Sequence, residues 1–199
     1  MANLDAPRGF SPVRHLHGGT IRYEGGFTIA SAYNTAIYSG DLVSLAATRA
    51  NQDIALTADG AAEIIGVFAG CQYTAADGSV VWSPFWVAST ATLGSADAEA
   101  FVYADPGIVY EAQADGTLAV TAAGQFADMV STHAGSAVTG RSGEEIQASS
   151  ISNDILQVKV LGLTNKVDGI TPSDAANDWS RWECIIAEGE RIGTLRSVS

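Results

Sequence analysis

Lysine is almost missing from this chain: Lys159 and Lys166 are the only two in 199 residues. From Asn51 to Gly140 there is neither lysine nor arginine, yet ten acids fall there: Asp53, Asp59, Glu63, Asp77, Asp97, Glu99, Asp105, Glu111, Asp115 and Asp128. With a formal charge of −12, such a body repels nucleic acid and anionic membranes and favours solubility. Cysteine is scarce too. Cys71 and Cys184 lie far apart with no CxxC spacing, which fits a reduced chain held by its own core, a single buried disulfide being the alternative. No apolar run approaches the roughly 18 residues of a membrane helix, and the first residues lack a basic-then-apolar signal region, so neither a membrane span nor export by a recognisable signal is expected.

Catalytic parts are equally sparse. There are three histidines, His15, His17 and His133. In an extended chain His15 and His17 project to one side, but a stable metal site needs further ligands, and neither Asp5 nor Glu24 stands at a diagnostic spacing. His17-Gly18-Gly19 has the look of an oxyanion-hole loop, yet no G-x-S-x-G elbow supplies a nucleophile. His133 sits in a Gly/Ser-rich stretch, and adjacent acids such as Glu144-Glu145 are usually just solvated. The glycine-bearing stretches "GSADAEAF" and "HAGSAVTGRSG" lack the Gly-Lys-Ser/Thr ending of a P-loop. No catalytic residue, metal ligand or cofactor is assigned on this basis, and the chain reads as a non-enzyme.

What the sequence does contain is strand. Short apolar runs such as "FTIAS", "DLVSLAA", "EIIGVFAG", "AFVYADPG" and "IVYEAQADG" are punctuated by Gly, Asn and Asp-Gly. Asp59-Gly60, Asp77-Gly78 and Asp115-Gly116 are hairpin-grade turn signals. The expected fold is mainly β, a sandwich or barrel of short antiparallel strands with little helix. In "ILQVKVLG", Leu156, Val158 and Val160 share one face while Gln157 and Lys159 share the other. In "DWSRWECIIA", Trp182, Cys184 and Ile186 oppose Trp179, Arg181 and Glu183, so these two segments are expected to pair antiparallel. Helix is limited to a turn or two, as in "GQFADMVSTHAG" or in "SGEEIQA", where Ser142 and Glu145 have capping-box spacing.

The first nineteen residues differ in composition from the rest of the chain. Pro7 and Pro12 forbid a helix and exclude a central strand, and Gly18-Gly19 reads as a hinge. The domain reading is an extended N-terminal arm over 1–19 and a β-rich body over 20–199, as one unit or two subdomains, with an irregular loop near 132–152. Fully extended, the arm reaches about 60 Å. Arg8, Arg14 and Arg22 oppose only Asp5 up to that point, so a basic arm leaves an acidic body. Phe10, Val13 and Leu16 between the arginines suggest docking, and Pro7, Arg8, Phe10, Pro12, Val13, Arg14, His15, Leu16 and His17 form the candidate contact set. Trp82 and Trp86 of "VWSPFW", expected on one strand face with Phe85 on the other, and Trp179 of "DWSRW", are candidate interface aromatics, because tryptophan supplies large rigid contact area.

The stretches "APRGFSPVRHLHGGTIR", "FTIASAYNTAIYSGDLVSL", "IGVFAGCQYTAADG", "AFVYADPGIVYEAQADGTL", "GSAVTGRSGEEIQASSI" and "LQVKVLGLTNKVDG…WECIIAEGE", taken in order, resemble the capsid decoration (cement, or head-stabilising) proteins of tailed bacteriophages. The likeness spreads over most of the chain and departs from the family in a longer loop around Thr171 to Trp179. It implies a non-enzymatic virion component, assembled in the host cytoplasm onto the outer surface of the mature head. It also implies a homotrimer that contacts the major capsid protein and ties capsomers together, with no nucleic-acid or membrane partner. Under this reading the arm engages the shell by strand addition, and removing residues 1–19 leaves a folded trimer that cannot decorate heads. A virion-surface or tail-associated module binding host glycan through Trp179 or the "VWSPFW" cluster is the alternative.

Overall fold

The computed structural model describes residues 3–47, 52–164 and 178–189. The protein is mainly β, as its punctuated apolar runs dictate, and its described helical content is confined to short 3₁₀ turns such as Leu93–Ser95 and Ala148–Ser150. A six-stranded sheet is built from β2 (Glu24–Ile29), β4 (Leu42–Leu45), β5 (Ile54–Leu56), β6 (Ile64–Thr74), β7 (Val80–Ser83) and β9 (Ala98–Tyr103). Its long strand is β6, which pairs β9 along one edge and β4 and then β7 along the other. A five-stranded sheet runs β1 (Ser11–His15), β10 (Ile108–Gln113), β15 (Arg181–Ile186), β14 (Val158–Leu163), β11 (Phe126–Ala127). Two ribbons complete the fold, β3 (Ile37–Tyr38) with β8 (Phe85–Trp86), and β12 (Met129–Val130) with β13 (Glu145–Ile146).

The six-stranded sheet has a core on each face. Leu42, Ile64 and Val67 meet Ile108, Tyr110, Val158, Val160, Trp182 and Cys184 of the five-stranded sheet. Their sequence neighbours Val43, Ile65 and Phe68 join Phe27, Ile29, Ile37, Cys71 and Trp86 in a second core. This explains why "EIIGVFAG" reads as an unbroken apolar run, as expected of a strand buried on both faces. The β14–β15 pairing expected from alternation is present, with Val160 opposite Cys184 and Lys159 opposite Ile185. Gln157 departs from it. It lies just before β14 and is fully buried, where its amide donates to the Ala58 and Ala61 carbonyls and accepts from the Met129 and Gly60 amides.

Of the three Asp-Gly turns, only Asp77-Gly78 closes a hairpin, between β6 and β7, with Gly78 at φ +86°. The strands flanking Asp59-Gly60 are not partners, because β5 lies beside β4, and Asp115-Gly116 leads away from β10 without a returning strand. "SGEEIQA" is not a capped helical turn either. Its Glu145 and Ile146 form β13, and the Ser142 hydroxyl accepts from the Glu144 amide.

Both thiols are free and buried, Cys71 in one core and Cys184 in the other. Burial pushes Cys71 up to about 12 and raises Cys184 as well. Since the thiolate is the reactive form, neither cysteine is expected to react with a thiol-specific disulfide reagent until the fold opens. A native-state reaction as fast as in denaturant contradicts this placement.

Candidate functional site

The segment expected to be an extended capsid-binding arm is paired into the body. Ser11–His15 is the edge strand of the five-stranded sheet, antiparallel to β10 with Pro12 opposite Tyr110 and a register shift before Arg14. An edge position is where proline is tolerated, so Pro12 fits. Phe10 is 1% exposed in the core between the sheets. The chain reaches it through Gly9, at φ +66°, packed against the Gly40 carbonyl and Ser142 where a Cβ has no room.

The arm's charges are consumed internally as well. Arg14 donates from Nε and Nη2 to Glu183 Oε2 at 2.9 and 2.7 Å. Arg8 lies 3.6 Å from Glu111, which also meets Arg181 at 3.8 Å. The polarity of basic arm and acidic body therefore joins two parts of one chain. His15 does not share an ion-binding side with His17. Its Nδ1 accepts from the His17 amide, and its Nε2 faces Asp105 at 3.2 Å. Gly18, at φ +73°, donates its N–H to the His15 carbonyl in a turn between β1 and β2, not at a hinge between arm and body. Pro7, Pro12 and Val13 are half-buried, and of the candidate contact set Arg14, Leu16 and His17 are exposed, Arg14 being held by Glu183.

The tryptophans separate. Trp86 is fully buried in the second core and donates from Nε1 to the Tyr33 carbonyl, so it cannot be an interface residue. Trp82 is 63% exposed. Pro84 ends β7 and starts a new strand, which is why the two rings do not share a face. The departing loop around Thr171 lies outside the described residues up to position 177; Trp179 is half-buried at φ +59°.

Trp82 marks a built surface. Along β9, Tyr103 packs against the first core, and Phe101 and Glu99 follow it on the same face. Of these, Tyr103 alone packs against the core shared with the five-stranded sheet; Phe101, 8% exposed, belongs to neither core. Trp82 stacks parallel on Phe101 with ring centroids 4.9 Å apart, and Tyr23 meets Phe101 edge-on at 5.2 Å. Gln72 lies between Trp82 and Glu99 in the sheet, so polar groups flank the aromatic patch. Val80, 61% exposed, extends the hairpin that carries Trp82.

No known protein family, characterised protein or solved structure matches this chain.

Sequence reasoning missed two groups of titratable residues. Glu144 and Glu145 are buried, not solvated. Glu144 Oε2 accepts from the Leu42 amide at 2.8 Å, while Oε1 is buried without a partner. Burial first, and then the charge of Asp41, holds its carboxyl well above the usual range. Asp41 is itself buried and pushed up to about 6 by burial, against the hydrogen bonds it accepts from Ser142 and Tyr38. On the other side of the same dipeptide, Glu145 joins His133 and Asp5. No local pattern announces either group: His133 is brought to Glu145 by the β12–β13 pairing, Asp41 to Glu144 by the Ser39–Arg141 bridge, and Asp5 to Glu145 across Gln113 of β10.

Proposed function

We propose that this protein is a capsid decoration protein of a tailed bacteriophage, a non-enzymatic trimer that meets the major capsid protein on the outside of the head. The observation that carries the reading is the uncovered aromatic end of the six-stranded sheet, together with the family resemblance in the sequence. Both cores are complete without Trp82, so a large exposed ring stacked on Phe101 is suited to a protein contact, where rigid aromatics concentrate binding energy. In this reading the contact surface is the Trp82 face, and the N-terminal strand shapes the body instead of reaching outward. Several copies held in one trimer bind the shell multivalently. Selective binding of the expanded shell stabilises it by mass action.

The test is a titration of purified expanded heads, with the mass of the unbound protein measured in solution. Saturable, stoichiometric binding by a trimer is expected. Trp82→Ala is expected to keep the fold, because the ring is exposed, and to weaken binding about 30-fold or more, as for an interface hot spot. Unchanged saturation by the variant removes the Trp82 face from the proposal, and failure of the native protein to bind heads removes the function.

One observation favours a second reading. The outer face of Trp82 is open beside Gln72 and Glu99, an aromatic platform with hydrogen-bonding groups of the kind a sugar ring uses. Specific glycan binding lost in Trp82→Ala, without affinity for heads, selects it.

A further inference from the structure

We infer that Asp5, His133 and Glu145 form a divalent-cation site, best suited to zinc, that fastens the N-terminal segment to β13. One ligand atom from each residue lies within 4.8 Å of the others, the one such three-residue group among the described residues. His133 stands between the two carboxylates, with Nε2 3.4 Å from Asp5 Oδ2 and Nδ1 3.2 Å from Glu145 Oε2. The ligand types, one imidazole and two carboxylates, suit a borderline ion that accepts both N and O donors and leaves a position for water.

The surroundings are arranged as an outer shell. Gln113, 3% exposed on β10, directs Nε2 at both acids, 3.3 Å from Asp5 Oδ1 and 3.4 Å from Glu145 Oε1. The remaining oxygen of each carboxylate is thereby turned towards the imidazole. Thr132 Oγ1 donates to Glu145 Oε2 and lies 3.0 Å from His133 Nδ1. Outer partners of this kind fix the orientation and basicity of metal ligands.

Charge supplies the reason for an ion. Glu145 is 1% exposed, and among the described residues its ion-pair partner is His133 alone. A neutral imidazole has one N–H for two carboxylates, so one ring nitrogen faces an oxygen with lone pairs opposed. Either a second proton or a cation resolves that contact. A divalent ion also offsets the repulsion between the two acids. Because the two ring nitrogens point to different acids, binding turns the half-exposed His133 ring so that one nitrogen meets the ion together with both carboxylates, at bonds of about 2.0–2.2 Å. Asp5 precedes Phe10 and β1, so the ion would clamp the segment over the outer face of β10, where the Ala6 amide already donates to Gln113 Oε1.

The experiment is zinc titration of the untagged, metal-stripped protein by calorimetry near neutral pH. Amide hydrogen exchange of residues 3–7 is followed in parallel. One ion per chain is expected to bind, slowing exchange in that segment. Asp5→Asn and His133→Ala should each weaken binding at least about tenfold, whereas the double variant His15→Ala, His17→Ala should leave it intact. Asp5 is exposed, so Asp5→Asn decides the matter even if His133→Ala folds poorly. No saturable binding, or binding indifferent to Asp5→Asn, overturns the site.

Discussion

Phe10→Ala is expected to cost about 3–5 kcal/mol, the range for removing a buried aromatic ring from a packed core. For a chain of this size that is a drop of about 6–20 °C in Tm. The ring is 1% exposed and touches residues of both sheets, so no solvent-facing rearrangement can relieve the cavity. Removing residues 1–19 altogether is expected to be worse. It strips β10 of its edge partner, opens the core at Phe10 and leaves Glu111 and Glu183 without Arg8 and Arg14. Circular dichroism and thermal melting should show loss of a cooperative transition or insoluble protein. A truncated chain that melts like the intact one restores the detachable arm that composition suggests, and with it the arm as the head-binding element.

The second large effect is on pH. Asp41 and Glu144 are both raised above their ordinary values by burial, so the folded state binds their protons more tightly than the unfolded chain does. Their contribution to stability is complete below the unfolded carboxylate range, near pH 4, and is lost as pH rises through the folded values. For Asp41, a folded value of about 6 corresponds to about 3 kcal/mol lost across that interval. Glu144 extends the loss to higher pH. Asp77 and Asp105 are shifted the other way, by hydrogen bonds from Ser79 and Gly107, so their effects appear only below the ordinary carboxylate range. The protein should therefore melt at a higher temperature at pH 5 than at pH 8. Glu144→Gln, which keeps an acceptor for the Leu42 amide, should raise Tm at pH 8 more than at pH 5. Thermal melts at both values decide it: a wild type more stable at pH 8, or a variant whose shift is the same at both, contradicts the buried pair.

What could be read from the sequence was whatever depends on neighbours along the chain. The alternation of Trp182, Cys184 and Ile186, the run in β6 and the Asp77-Gly78 hairpin are local patterns, and each lies where it pointed. The errors came from residues whose partners are remote. Pro7, Pro12 and three glycines give residues 1–19 the composition of a tail, but an edge strand tolerates the same residues. The acids that neutralise Arg8 and Arg14 lie more than a hundred positions away. Glu144-Glu145 looks solvated until Asp41 and His133 are brought to it from opposite sides. One local signal was present and misread: Pro84 inside "VWSPFW" stands between β7 and β8, and the break there buries Trp86 while leaving Trp82 outside.

The position of β1 also sets the order in which the molecule can be completed. Synthesis runs from the N-terminus, yet Ser11 pairs with Glu111, about 100 residues later, and β10 in turn needs β15 from residues 181–186. The six-stranded sheet, whose strands end at Tyr103, emerges first and can begin to assemble while the chain is still being made. The five-stranded sheet closes around Phe10 only once residues 181–186 have been released. Until then an apolar ring and an unpaired strand wait on the nascent chain, exposed to chaperones or to sister chains, and slow translation cannot shorten that wait.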